Sequence, residues 1–246
     1  MASACVVEAF SHARLQPVLT LVVTRHGLTT RSVPEQHIGQ RIDVPLSTQG
    51  LRQAHALTRR LDGIAFDRIY TSPLVRARET AEIVAAGRLV AGDARLTEMD
   101  YGEWEGHTYE EVRAIHPGFR TKWEHDPGSL RCPGGESGDD VARRLRAFLR
   151  DILDPGSPMG RPQQASGPVG GDDGRRILLV SHSSVGRILC AVALGEPIRE
   201  FRRRFRIDPC SLTVLQWPDG ADPDGAELLL LNETAHLRRR GEAPWG

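Results

Sequence analysis

Four stretches of this 246-residue chain place histidine, arginine and carboxylate where they could do chemistry. Arg25-His26-Gly27 follows an apolar, β-branched run. Arg76 stands four residues after Ser72, and Glu98 opens a segment that also holds Asp100, Glu103 and Glu105. Ser181-His182-Ser183 ends a second apolar run. Two arginines brought together can surround the oxygens of a phosphoryl group with charge-assisted, bidentate hydrogen bonds, and two imidazoles can serve as nucleophile and electrostatic partner. The collection suits a phosphate dianion, because phosphoryl transfer asks mainly for in-line placement and for positive charge around the equatorial oxygens. A carboxyl group would supply the leaving-group proton, and composition does not choose among the four candidates.

The flanking sequence shows how such groups could meet. Residues 18–24 (VLTLVVT) and 177–180 (ILLV) read as buried strands ending at the two histidines, and residues 66–70 (FDRIY) as a strand ending at Thr71-Ser72. Between them lie helical patterns: Leu51, Ala54, Leu57 and Leu61, with Ser47 or Thr48 as N-cap and Gly63 as the stop; Leu74, Ala77, Ala81 and Val84; residues 141–153; and residues 185–194. A further helix is expected from Thr108, and a late hairpin from residues 212–217 and 228–231. Alternating strands and helices predict an α/β fold, a three-layer α/β/α sandwich around a mainly parallel sheet. In such sheets the ligand crevice lies at the carboxyl ends of the strands, where one crevice would collect two histidines and two arginines.

Thr24-Arg25-His26-Gly27 resembles the signature of the histidine phosphatase superfamily, the phosphoglycerate mutase-like proteins. Three further stretches join it in order: Ser72-Pro73-Leu74-Val75-Arg76-Ala77 with Thr80-Ala81; Leu96-Thr97-Glu98 with Gly102-Glu103-Trp104-Glu105-Gly106; and Val180-Ser181-His182 with Arg187. The resemblance spans residues 18–217. It implies a phosphoglycerate mutase-like fold and a phosphoric monoester hydrolase that needs neither metal nor cofactor. Such an enzyme would act on a small phosphomonoester, a sugar phosphate or phosphoglycerate-type metabolite, through a phosphohistidine. His26 falls on the nucleophile, Arg25, Arg76 and His182 on the rest of the pocket, and Glu98 on the proton donor. Thr29 matches a position that often touches the phosphate. Ser32 stands where the family commonly has asparagine, Ser183 where glycine often follows the second histidine, and Leu28 where an acidic residue is frequent. Gly27 allows a tight turn, and its amide could face the phosphate; His37 could line the pocket mouth. Within the family, phosphoglycerate mutase-type transfer is the alternative. Lys122, the chain's one lysine, and the segment 102–106 resemble the phosphatase branches more closely. A catalytically silent module that binds phosphorylated ligands would be expected to lack the nucleophile or an arginine, and this chain keeps both.

Composition narrows the rest. The 32 basic residues, all but Lys122 arginine, balance 32 acidic ones, which argues against a nucleic-acid partner. The arginines at 199, 202, 203, 204 and 206 read as a solvated face, Arg187 as structural, and Glu103 and Glu105 as anchors for the turn around Trp104. The run at 18–23 is too short to span a bilayer, so no membrane partner and a cytoplasmic location are expected. Cys5, Cys132, Cys190 and Cys210 form no C-x-x-C pair and are expected to be reduced, mostly buried thiols. The whole chain, 1–246, reads as a single domain with its core at about 18–217, a flexible polar loop at about 154–175 and a polar tail at about 232–246. An apolar strand edge or exposed helix could support a homodimer.

Overall fold

The computed structural model describes residues 17–161, 174–218 and 220–238. Its strands and helices run β1 (Pro17–Arg25), α1 (Thr48–Arg60), β2 (Arg68–Thr71), α2 (Val75–Ala85), β3 (Ala91–Gly92), α3 (Tyr109–Ile115), α4 (Pro117–His125), α5 (Gly138–Leu153), β4 (Arg175–Ser181), α6 (Ser183–Ala193), α7 (Phe201–Arg204), β5 (Leu212–Pro218) and β6 (Glu227–Glu233). The six strands form one sheet in the order β3-β2-β4-β1-β5-β6. β1, β2, β3 and β4 pair in parallel, while β5 is antiparallel to both neighbours. The expected α/β sandwich with a mainly parallel sheet is therefore the fold observed.

Alternation along the central strands builds two cores. Leu19, Leu21, Val23, Ile177 and Leu179 face one side, where α5 and α6 cover them; Val22, Leu178 and Val180 face the other, under α1 and α2. α5 shows how patterning decides the burial. Val141, Ala142, Leu145, Phe148, Leu149 and Ile152 recur at helical spacing on one buried face, while Arg143 and Arg150 stay exposed. Side chains fix the helix starts. Ser47 accepts from Gly50 N–H at the head of α1, and Thr108 with Glu111 and Ser137 with Asp140 form reciprocal capping boxes on α3 and α5. Each such cap contributes about 1 kcal/mol.

Some expectations need correction. The helix expected from Thr108 is two helices broken at His116, because Pro117 cannot continue α3 but suits the first turn of α4. The tail does not begin at 232: Asn232 and Glu233 belong to β6, and a 3₁₀ turn over Ala235–Leu237 sets Leu237 against the second core. β3 and α7 are too short to leave a periodic signal. Most of the expected flexible loop and the last residues of the tail lie outside the described residues. So does Cys5; Cys132, Cys190 and Cys210 are free and buried. Among the described residues, no helix is long and apolar enough to cross a membrane.

Candidate active site

Parallel pairing brings the expected residues together. Arg25 at the end of β1 pairs with Ser181 of β4, and Thr71 of β2 pairs with Val180. One step further, His26 N–H donates to Ser181 O at 2.9 Å and Ser72 N–H to Val180 O at 3.1 Å. His26 and His182 consequently meet with ring centroids 5.1 Å apart.

His26 Nδ1 lies 2.7 Å from Gly27 O. A carbonyl only accepts, so Nδ1 carries the proton and Nε2 keeps its lone pair. Burial, reinforced by the charges of Arg76 and then Arg25, holds the pKa of His26 well below the ordinary imidazole range. The ring is neutral and Nε2 is a competent nucleophile. His182 is lowered in the same way, by burial first and then by Arg76 and His26; its Nε2 lies 2.8 Å from Ser72 Oγ.

Arg76 is fully buried and is held by backbone carbonyls. Nη2 donates to Gly39 O at 2.8 Å and to Ile38 O at 3.3 Å, Nη1 to Ile42 O at 3.3 Å, and Asp43 lies 3.6 Å away. Glu105 pins that same segment. Its Oε1 accepts from Gln40 N–H at 2.9 Å, and its Oε2 from the N–H groups of Arg41 and Ile42 at 2.8 and 3.1 Å. Burial raises the pKa of Glu105. Glu105 is thus an anchor, as expected, but for residues 40–42 and not for the turn around Trp104.

Glu98 is buried and accepts from Met99 N–H at 2.8 Å, Ser184 N–H at 3.2 Å and Val185 N–H at 3.3 Å. Its carboxyl group therefore sits on the amino end of α6, where the helix dipole favours negative charge. Of the four carboxylates left open by composition, Glu98 is the one that lines the cavity at His26.

That cavity is walled by Arg25, His26, Glu98 and Ser183, by Ser32 and His37, by Tyr101 and Tyr109, and by Arg31, Arg187 and Arg202. Arg76 and His182, both 0 % exposed, lie behind that wall against His26, with Arg76 Nε and His182 Nδ1 left unpaired. Thr29 is also withdrawn: its N–H and Oγ1 lie 3.0 and 3.1 Å from Ser32 Oγ, so it orients Ser32. Gly27 does not offer its amide to a ligand, because that N–H donates to Thr80 Oγ1 at 3.1 Å. What the position requires is a missing side chain, since a Cβ there would meet Gly50 O at 2.6 Å. His37 does line the wall, but both ring nitrogens are engaged. Nδ1–H donates to His107 O at 3.0 Å, and Nε2 accepts from Arg120 Nη1 at 2.9 Å.

Two arginines read as structural or solvated belong to this wall. Arg187 follows Ser183 by four residues on α6, which puts both on one helix face; that spacing was a usable signal. Arg202 is drawn inward by the rings of Trp123 and Tyr109, 5.1 and 5.8 Å from its guanidinium carbon, a contact between distant segments. Arg199, Arg203, Arg204 and Arg206 are exposed as expected.

The region is short of hydrogen-bond partners. Of eight buried side-chain polar atoms without one among the described residues, four are here: Arg25 Nε, Arg76 Nε, His182 Nδ1 and Arg187 Nε. Buried polar groups left unpaired are costly and few in folded proteins, so their concentration around His26 marks a place suited to an anion. Among the described residues, no group of three or more His, Cys, Asp or Glu could hold a metal ion.

The sheet order, the paired histidines and the arginine cluster together define a class. The sequence profile of the histidine phosphatase superfamily, branch 1, matches residues 21–160 and 163–234, and the chain belongs to that family. It is 31% identical over 223 residues to a protein of Yersinia enterocolitica named a probable phosphoglycerate mutase, covering 89% of this chain and 95% of that one. It is 29% identical over 222 residues to phosphoserine phosphatase 1 of Hydrogenobacter thermophilus, with coverage of 89% and 95%. A solved mycobacterial glucosyl-3-phosphoglycerate phosphatase superposes with a TM-score of 0.75 at 30% identity, over 87% of this chain and 99% of that one.

Proposed function

We propose that this protein hydrolyses a small phosphomonoester through a phosphoryl-His26 intermediate. The observation that carries this is the ring of unpaired buried atoms on Arg25, Arg76, His182 and Arg187 around a histidine whose Nε2 lone pair is free. A phosphoryl group at His26 supplies the oxygens they lack. In the first step Nε2 attacks phosphorus in line, the bond from phosphorus to the ester oxygen breaks, and Glu98 passes a proton to that oxygen, releasing the alcohol. Gly27 O, accepting from Nδ1–H, steadies the positive charge that grows on the ring, while Arg25 and Arg76 offset the equatorial charge. In the second step water attacks phosphorus, its proton goes to the Glu98 carboxylate, the P–N bond breaks and neutral His26 returns.

The remainder of the cavity favours a substrate with a second negative group, such as a carboxylate. Arg31, Arg187 and Arg202 line it alongside Glu35, Tyr101 and Tyr109, so that even against Glu35 the wall carries more positive charge than one phosphate dianion needs. Phosphoglycerate, phosphoserine and glucosyl-3-phosphoglycerate, named in the three relatives, all combine a phosphate with a carboxylate.

Phosphate release from phosphoserine, phosphoglycerates, sugar phosphates and aryl phosphates tests this, with a chelator present and His26→Ala as control. Release lost in the variant, fastest with the carboxylated esters, is expected. Isomerisation of phosphoglycerate without release would replace the proposal by a mutase, a chelator-sensitive rate restored by metal would replace the mechanism, and silence throughout would point to a binding module.

A further inference from the structure

Arg25 ends β1, and a single loop, residues 207–210, holds it at two points. Cys210 N–H donates to Arg25 O at 2.9 Å, and Arg25 Nη1 donates to Ile207 O at 3.3 Å. Its Nε is buried without a partner, so within the described protein the direction of the guanidinium depends on where the Ile207 carbonyl stands.

That carbonyl's position is set from β6, the edge strand two places from β1 in the sheet. Asp208 N–H donates to Asn232 Oδ1 at 2.7 Å, and Asn232 Nδ2 returns a bond to Asp208 Oδ2 at 2.9 Å. Asn232 can face the loop because its backbone is left-handed, φ 53°, a conformation asparagine tolerates better than most residues. Its own N–H donates to Thr213 Oγ1 at 3.2 Å. Arg206 Nε donates to Asp208 Oδ1 at 3.0 Å, and His236 Nε2 donates to Cys210 O at 3.0 Å.

We infer that Asn232 is a positioning residue for the phosphate-binding site: by fixing Asp208 it sets the Ile207 carbonyl and thereby aims Arg25. This rests on the proposed role of Arg25 in holding the phosphoryl group. The last strand, though far in sequence from β1, is part of the phosphate site's frame.

Asn232→Gly tests it, since glycine keeps the left-handed turn and removes both side-chain bonds. Calorimetric binding of inorganic phosphate to the full chain and kcat/KM for an aryl phosphate are measured in the wild-type and Arg25→Ala backgrounds. Losing the pair is expected to weaken phosphate binding and kcat/KM by about tenfold in the wild-type background, and by under about twofold once Arg25 is gone, the non-additivity of residues acting through one group. Asn232→Asp sets a carboxylate against Asp208; it is expected to be as impaired at neutral pH and to recover when acid protonates one of the two. An equal loss in both backgrounds, or a lowered melting temperature with unchanged phosphate binding, would overturn the inference. Phosphate binding needs no turnover, so this result stays separable from that of the hydrolysis assay.

Discussion

His26 and His182 stand edge to face, their ring planes at 63°, because the strands that end beside them pair in register from Leu19 with Arg175 to Arg25 with Ser181. Each imidazole is buried and also sits in the positive field of Arg76, so neither is easily protonated. A pair of neutral rings can supply one nucleophile and one hydrogen-bond partner to a phosphoryl group without first losing a proton.

This relationship has a direct spectroscopic signature. A free histidine titrates near pH 6.5, whereas burial and the two arginines hold His26 far below that value. At pH 6, ¹⁵N NMR of the resting protein is expected to show His26 neutral and protonated at Nδ1. A charged ring, or a neutral ring protonated at Nε2, would contradict the assignment of the nucleophile.

Glu98 is expected to matter in proportion to how much the leaving oxygen needs a proton. Glu98→Gln keeps the shape of the side chain and removes the acid. Alkyl phosphates are expected to lose about 10²- to 10⁴-fold in turnover, and an aryl phosphate with an acidic phenol far less. Equal losses for the two substrates would remove Glu98 from the proton path.

Gly27 and Gly50 make a contact that no other residue pair could make there. A Cβ on Gly27 would lie 2.6 Å from Gly50 O, and one on Gly50 would lie 2.0 Å from Leu28 O. Gly27→Ala must therefore displace the backbone next to His26. A drop in kcat of at least about 10²-fold is expected, since misplacing a reacting group by about 1 Å costs that much, together with a lowered melting temperature. Full activity in the alanine variant would show that the loop can relax without moving the nucleophile.

The centre of the sheet and its deepest residues were legible because β1, β2 and β4 are short runs that stop at polar clusters, and parallel pairing then fixes which clusters meet. His26, Arg76, Glu98 and His182 converge as their motifs suggested. The outer wall was not legible. Arg202 is one of five arginines within eight positions, and only packing against Trp123 and Tyr109 separates it from its solvated neighbours. The local sequence allows Gly27 a tight turn and leaves its amide free to face a phosphate, and nothing local reveals that Thr80 takes that amide. β3 and α7 are too short for periodicity to register.

Arg202 gives the second-anion proposal its sharpest check. Arg202→Met keeps an unbranched, apolar side chain against Trp123 while removing the charge. For a carboxylated phosphomonoester KM is expected to rise about tenfold or more, the cost of losing a charged hydrogen bond of about 1.5–3 kcal/mol, with little change for an aryl phosphate that carries no second anionic group. A uniform rise across both substrates would mean that Arg202 acts on the phosphate or on the shape of the cavity, and not on a second anionic group.

His37 links acid stability to the cavity wall. Burial lowers its pKa to about 4, while in the unfolded chain it titrates near pH 6.5. Between those values the unfolded chain takes up a proton that the folded one refuses, so stability falls as pH drops through this window and is fully present above it. The folded protein refuses the proton because Nε2 already accepts from Arg120 Nη1, and a protonated ring would set two cations together in a buried site. Arg120 has nowhere to retreat: its guanidinium carbon lies 5.1, 5.2 and 5.0 Å from the ring centroids of Trp104, Tyr109 and Trp123, and its Nε donates to Glu124. Denaturant titrations of wild type and His37→Gln at pH 7 and pH 4 are therefore expected to show a stability difference that shrinks by about 3 kcal/mol at the lower pH, the equivalent of the shift at 1.36 kcal/mol per unit. A difference that does not change with pH would mean that His37 accepts its proton in place, with Arg120 and the wall it supports moving aside.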